Sequence, residues 1–169
     1  MPRIIENLRE QLLSEAKRQI AECGYHGVTM RSVAGACGVG VGTVYNYFDS
    51  KEVLVASVVL RDWKKYLDIM SALPTDEPRA LLFGIYRALS DFAEANRALF
   101  SDAEARRLSS VGFAARHKML IEQIASFVMP ISGSDKFLAS FIAEALISHS
   151  SDGDEFDKLY EILEKIIKK

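Results

Sequence analysis

The chain has 169 residues, 49% of them hydrophobic and 26% charged, with a formal net charge of −2. This is the mix of a soluble globular protein with one sizeable core or a small domain joined to a larger one. No apolar run approaches the roughly 18 residues that suggest a membrane span, and two cysteines, Cys23 and Cys37, exclude a disulfide framework.

The amino terminus, MPRIIENLREQLL, is amphipathic and carries acids, so it does not read as a signal peptide, and a cytoplasmic protein is expected. Ile5, Leu8, Leu12, Ala16 and Ile20 form one stripe, which predicts a first helix over about 3–23. Gly24 and Gly27 end it. Thr29 is a good N-cap for a second helix, about 29–37, whose apolar face is Met30, Val33 and Cys37. Gly35 inside it costs about 1 kcal/mol relative to Ala, and Gly38 ends it. A third helix covers about 40–47, with Val44 and Phe48 anchoring it to the first two. Ser50 caps a fourth, 51 to about 72. Val53 at its third position leaves no reciprocal capping box there, and Pro74, Thr75 and Pro78 break the chain after it.

A fifth helix spans about 78–95, with Leu82, Ile85, Leu89 and Phe92 on one face. A sixth spans about 96–109, and a seventh about 111–130. An eighth covers about 135–149, with a stripe of Leu138, Phe141, Ile142, Ala145 and Leu146. The segment SSDGD (150–154) reads as a break. A ninth helix, 155–168, shows Phe156, Leu159, Leu163 and Ile166, widened by Tyr160 and Ile167. The expected fold class is all-α with about nine helices: a three-helix helix-turn-helix domain over 1–50, and a helical bundle for ligand binding and dimerisation over 51–169.

Two helices locked by a small core (Val33, Val39, Val44, Phe48) around a glycine turn, the second exposing Thr43, Tyr45, Asn46 and Tyr47, are what a helix-turn-helix needs to enter a major groove. Charge agrees weakly. Residues 1–65 carry nine Lys and Arg against seven Asp and Glu, and the acidic excess lies beyond them. Isolated Tyr and Thr residues are ordinarily half-buried rings and caps, but here they come as an ordered set.

That set, Gly24-Tyr25, Thr29, Val33-Ala34, Gly38-Val39, Gly42-Thr43-Val44-Tyr45-Asn46-Tyr47-Phe48 and Ser50-Lys51, resembles the amino-terminal domain of the TetR (tetracycline repressor-like) family of bacterial transcriptional regulators. The remaining chain resembles that family only in helix count, length and the break before the last helix. The resemblance implies that Thr29, Tyr47 and Lys51, joined by Arg31, meet phosphates. It also implies that Gly42, Thr43, Tyr45 and Asn46 enter the major groove of double-stranded DNA. Asn46 can pair with an adenine edge, and a Thr methyl can meet a thymine methyl. The chain departs from the family pattern at Gly40 and Val41, where Ser and Lys are usual. The third helix therefore lacks a side-chain cap and a cation, and Val41 shifts direct readout toward apolar contact.

So small a DNA contact needs a twofold dimer reading a palindrome. As the resemblance implies, the last two helices should supply its surface, with Phe137, Phe141, Phe156, Tyr160, Leu163 and Ile167 either there or in the subunit's own core. Large groups on helices four to seven (Trp63, Tyr66, Phe83, Tyr86 and Phe113, with Arg87 and His117 as polar members) either line a pocket for a small apolar or aromatic effector or are plain core. Arg61, Lys64 and Lys65 read as a solvated face. Cys37 reads as a small core residue and Cys23 as a surface thiol. No cofactor and no metal are expected, because His26, His117 and His149 are scattered and too few ligands share a suitable spacing. No nucleophile–base pair or phosphate loop suggests an enzyme. The expectation is a homodimeric repressor released from DNA by a small molecule, or a DNA-binding dimer governed by a protein partner or by abundance.

Overall fold

In a computed structural model the described residues are 7–102, 113–152 and 156–168. Among them there are nine α-helices and no strand: α1 (Leu8–Gly27), α2 (Met30–Ala36), α3 (Val41–Tyr45), α4 (Lys51–Ser71), α5 (Pro78–Ala95), α6 (Arg97–Phe100), α7 (Phe113–Val128), α8 (Lys136–Asp152) and α9 (Phe156–Ile167). The expected Ile5, residues 103–109 of the sixth helix, the first two positions of the seventh and residues 153–155 lie outside the described residues.

The expected helices are present with shifts at their ends, except that the sixth, expected to reach about residue 109, is the single turn Arg97–Phe100 and gives way to a turn at Ser101 and irregular backbone at Asp102. α1 does not stop at Gly24. Gly24 takes a φ of 70° and kinks the helix, and one further turn carries Tyr25 into the core before Val28 resumes extended backbone. A residue with a Cβ is strained at that φ, so the kink selects glycine. α8 runs through Ser150 to Asp152, into the first three residues of the expected break. A 3-10 turn, Met129–Ile131, follows α7.

The chain divides into two compact units, Met1–Trp63 with Asn96–Ser110, and Lys64–Ala95 with Val111–Lys169. In the first, Leu8, Leu12, Leu13, Ala16 and Ile20 of α1 meet Met30, Val33 and Ala34 of α2, Val44 and Phe48 from the α3 region, Leu54, Val55 and Val58 of α4, and Leu99 of α6. The first turns of α4 are therefore part of this core.

Arg61 is not on a solvated face, as its sequence neighbours Lys64 and Lys65 suggested. Its guanidinium reaches Ser14 Oγ at 3.0 Å and Glu10 at 3.5 Å. The neighbouring Asp62, only 1% exposed, is paired with Lys17 and lies 3.8 Å from Arg61. A buried carboxylate left without such partners would be costly, so these cations tie α4 to α1. Lys64 and Lys65 are exposed.

In the second unit Leu81, Leu82, Ile85, Tyr86 and Leu89 of α5 are buried together with Ile124 and Val128 of α7, Ala139, Ile142, Ala143 and Leu146 of α8, and Phe156, Leu159 and Leu163 of α9. The inward row of α8 thus contains two alanines that sequence reading passed over. Phe141, expected on that stripe, is turned outward at 48% exposure. Small side chains at 139 and 143 let neighbouring helices approach closely, whereas a ring there would hold them apart. Asp135 caps α8 by accepting the Phe137 and Leu138 N–H groups at 2.8 and 3.2 Å.

Candidate nucleic-acid interface

The geometry of the segment 29–52 is set by three local devices. The first is a reciprocal cap on α2. Thr29 Oγ1 accepts from Ser32 N–H at 2.9 Å, and Ser32 Oγ accepts from Thr29 N–H at 3.0 Å. The Ser32 hydroxyl also donates to Gln19 Oε1 of α1 at 2.6 Å. Gln19 is buried and donates in turn to Glu15 at 2.8 Å. A helix cap of this kind stabilises by about 1 kcal/mol. Sequence reading named Thr29 as the N-cap but not its reciprocal partner Ser32, for which Thr-x-x-Ser was the available signal.

The second device is the turn. Gly38 sits at φ 66°. Its N–H bonds Gly35 O at 3.2 Å, and Val39 N–H reaches back to Ala34 O at 3.0 Å. This is the Schellman closure, in which a left-handed glycine satisfies the last carbonyls of a helix. Val39 and Cys37 pack against the core as the chain reverses.

The third is the anchoring of α3. Gly40 provides no side-chain cap, as expected from its departure from Ser. Val44 and Phe48 are fully buried and leave the other side chains of this short helix facing outward. Val41, Gly42, Tyr45, Asn46 and Tyr47 are exposed, and Thr43 is half-buried.

These devices open a groove of about 780 Å³ between the starts of α2 and α4 and the face of α3. It gathers Thr29 and Arg31 from α2, Val41 and Tyr45 from α3, and Lys51 from α4, together with Asp49, Ser50 and Glu52. Gly42, Thr43, Asn46 and Tyr47 lie outside its lining. Lys51 Nζ lies 3.8 Å above the ring of buried Tyr25, whose hydroxyl donates to Glu52 at 3.3 Å. A cation over an aromatic face is held by the ring quadrupole, so the Gly-Tyr pair ending α1 serves to aim Lys51. Ser50 Oγ accepts from Val53 N–H at 3.3 Å. The Ser50 hydroxyl, and then Glu52's own backbone N–H, hold the Glu52 carboxyl below its usual range. The groove therefore presents two cations and two anions.

A further cation escaped sequence reading. The Arg9 guanidinium lies 5.4 Å from the centre of the Phe48 ring, and Tyr47 packs on the same ring at 6.4 Å. Its only sequence signal was a basic residue early in α1.

The residues expected to bind an effector are divided between the two compact units. Trp63 is buried in the first unit. Tyr66 is half-buried and meets Phe92 edge-on at 5.5 Å. Phe83 and Tyr86 pack on Phe156 of α9 at 5.0 and 5.4 Å. Arg87 is exposed. His117 Nε2 lies 3.0 Å from Glu144, and the side chain of Phe113 lies outside the described residues.

Of the residues expected at a dimer surface, Phe156 and Leu163 are spent on the unit's own core. Tyr160 stacks on Phe156 at 5.9 Å, under the guanidinium of Arg79, and is half-buried, like Ile167. Phe137 and Phe141 stand outward on α8, at 82% and 48% exposure. Among the described residues there is no group of His, Cys, Asp and Glu that could hold a metal ion. No helix there is long and apolar enough to cross a membrane.

Residues 12–58 match the family described as bacterial regulatory proteins, tetR family. The chain is 32% identical over 59 residues to the HTH-type transcriptional regulator UidR of Escherichia coli (strain K12), a match covering 35% of this chain and 30% of that protein. It is also 32% identical over 113 residues to the HTH-type transcriptional repressor KstR2 of Mycobacterium tuberculosis (strain ATCC 25618 / H37Rv), covering 63% of this chain and 55% of that one. The matches thus span about a third to about half of these relatives' own lengths. Among solved structures, the TetR family repressor AlkX from Dietzia sp. strain DQ12-45-1b, implicated in biodegradation of n-alkanes, has the same fold. Its TM-score is 0.64 at 22% identity, covering 94% of this chain and 96% of that one.

Proposed function

We propose that this chain, whose residues 12–58 match the tetR family of bacterial regulatory proteins, is a DNA-binding transcriptional regulator that represses transcription by binding a palindromic operator as a homodimer. The observation that carries this reading is the groove, which collects five expected DNA contacts from three different helices. Thr29, Arg31, Tyr47 and Lys51 meet phosphates, and Arg9 joins them from α1. Val41, Gly42, Thr43, Tyr45 and Asn46 face the bases. Thr29 Oγ1 is occupied as an acceptor by its cap, but its hydroxyl proton remains available to donate to a phosphate oxygen.

Residues 1–50 act as the DNA-binding domain and borrow the first turns of α4 for their core. Residues 51–169 carry dimerisation and the response to an effector. The dimer surface centres on Phe137 and Phe141 of α8, with Tyr160 and Ile167 of α9 at its side. A small apolar or aromatic effector releases the DNA by binding more tightly to a subunit arrangement whose α3 helices no longer match successive major grooves. A ligand without that difference in affinity shifts nothing. α4, whose residues belong to both compact units, is the lever.

One observation favours a second reading, in which a protein partner or abundance regulates the dimer. Phe83 and Tyr86, expected to line a pocket, are already packed against Phe156. Gel-shift titration on the DNA flanking the chain's own gene tests the first reading. A salt-sensitive, sequence-specific complex is expected. Binding that ignores sequence would remove the repressor reading, and release by no apolar compound would favour the second.

A further inference from the structure

The helix that faces the bases carries no charge. Val41–Tyr45 and the following Asn46 and Tyr47 include no Lys, Arg, Asp or Glu. The commonest specific base contact is Arg or Lys on the O6 and N7 of guanine, and α3 has no such group to offer. What α3 turns into the groove is Val41 and Tyr45, four positions apart and so on one face. The groove's cations, Arg31 and Lys51, stand on α2 and α4, accompanied by the acids Asp49 and Glu52.

Around Val41 the surface is bare. Gly40 and Gly42 flank it. A Cβ at Gly42 would meet nothing within 4 Å, and one at Gly40 would find only Thr43 Oγ1 at 3.9 Å. No side chain therefore flanks the isopropyl group, which is 37% exposed, and a base pair can approach the backbone on either side of it. An isolated apolar group entering the major groove finds one apolar partner on the edges of the base pairs, the 5-methyl group of thymine.

We propose that Val41 is a specificity-determining residue that reads thymine through this methyl group, so that each operator half-site carries a T·A pair beneath Val41. The inference rests on the DNA-binding reading above and sharpens it. Gly40 and Gly42 admit the base pair, Val41 covers the methyl, and the lack of a cation on α3 removes the competing preference for guanine at that position.

The test uses the full chain and a duplex selected from a randomised pool. Each thymidine of that duplex is replaced in turn by deoxyuridine, which deletes only the methyl, and affinity is followed by fluorescence anisotropy. At one thymine in each half-site the wild type should bind the uracil duplex about fourfold more weakly, the effect of one buried methyl. Val41→Ala, whose shorter side chain withdraws from the methyl, should show a clearly smaller loss on the uracil duplex than the wild type while keeping the wild-type melting temperature. Two results overturn the inference alone: indifference to uracil at every position, or the same loss in Val41→Ala as in the wild type. A chain that enriches no duplex overturns the DNA-binding reading itself.

Discussion

The two compact units spend their aromatic residues in opposite ways. In the first, Tyr45 and Tyr47 face outward beside a groove, while buried Phe48 packs on Tyr47 and buried Tyr25 lies beneath Lys51. In the second, Phe83, Tyr86, Phe156 and Tyr160 pack on one another, and Phe137 and Phe141 are the rings that α8 leaves outside. The first unit is built to present side chains from short helices whose ends are chemically capped. The second is built to fill space between long helices, and its outward rings are those that did not fit the alanine row of α8. An aromatic residue's role is thus decided by what its element must do.

This contrast can be broken most directly at Phe156. Phe156→Ala should cost about 3–5 kcal/mol of the second unit's stability, read from urea unfolding followed by circular dichroism and by exchange of α5 and α9 amides. An unchanged midpoint would show that the cluster is not core. Next in size is Phe141→Ser. It should raise the dimer dissociation constant roughly thirtyfold or more, as for a hot-spot residue, with little change in unfolding. Sedimentation velocity measures the first and thermal melting the second, and a dimer that persists would move the interface off α8.

Lys51→Ala should weaken DNA binding and make the fall of log K with log salt shallower by about 0.9 per subunit, one phosphate contact each. A slope equal to the wild type would mean that Lys51 is held by Tyr25 for structure alone. The smallest effect concerns pH. Glu52 has its carboxyl held below the ordinary value of 4.5, so its stabilising effect is present above that value and fades as pH falls through the depressed one. Glu52→Gln should therefore melt slightly below the wild type at pH 7, and the two melting curves should draw together as the pH is lowered past 4.5.

The sequence by itself determined the helices and the turn, and it carried the resemblance to the tetR family in residues 12–58. Thr29, Gly38 and Ser50 act through bonds to residues within a few positions, so their consequences can be read along the chain. Five of the residues singled out between 24 and 51, Thr29, Arg31, Val41, Tyr45 and Lys51, come to line one groove, because short, capped helices leave few alternatives. The tertiary structure alone decided which way each long stripe faces. Helical spacing says that Phe141 and Ile142 lie near one another on α8, but only packing shows that Ala139 and Ala143 take the inward row. Arg61 next to two exposed lysines looked solvated, and only the approach of α1 gives buried Asp62 its partners. Tyr25 beneath Lys51, Gln19 beneath the cap of α2 and Arg9 against Phe48 join groups at least 13 positions apart. Such contacts have no period in sequence, because they arise where separate elements meet.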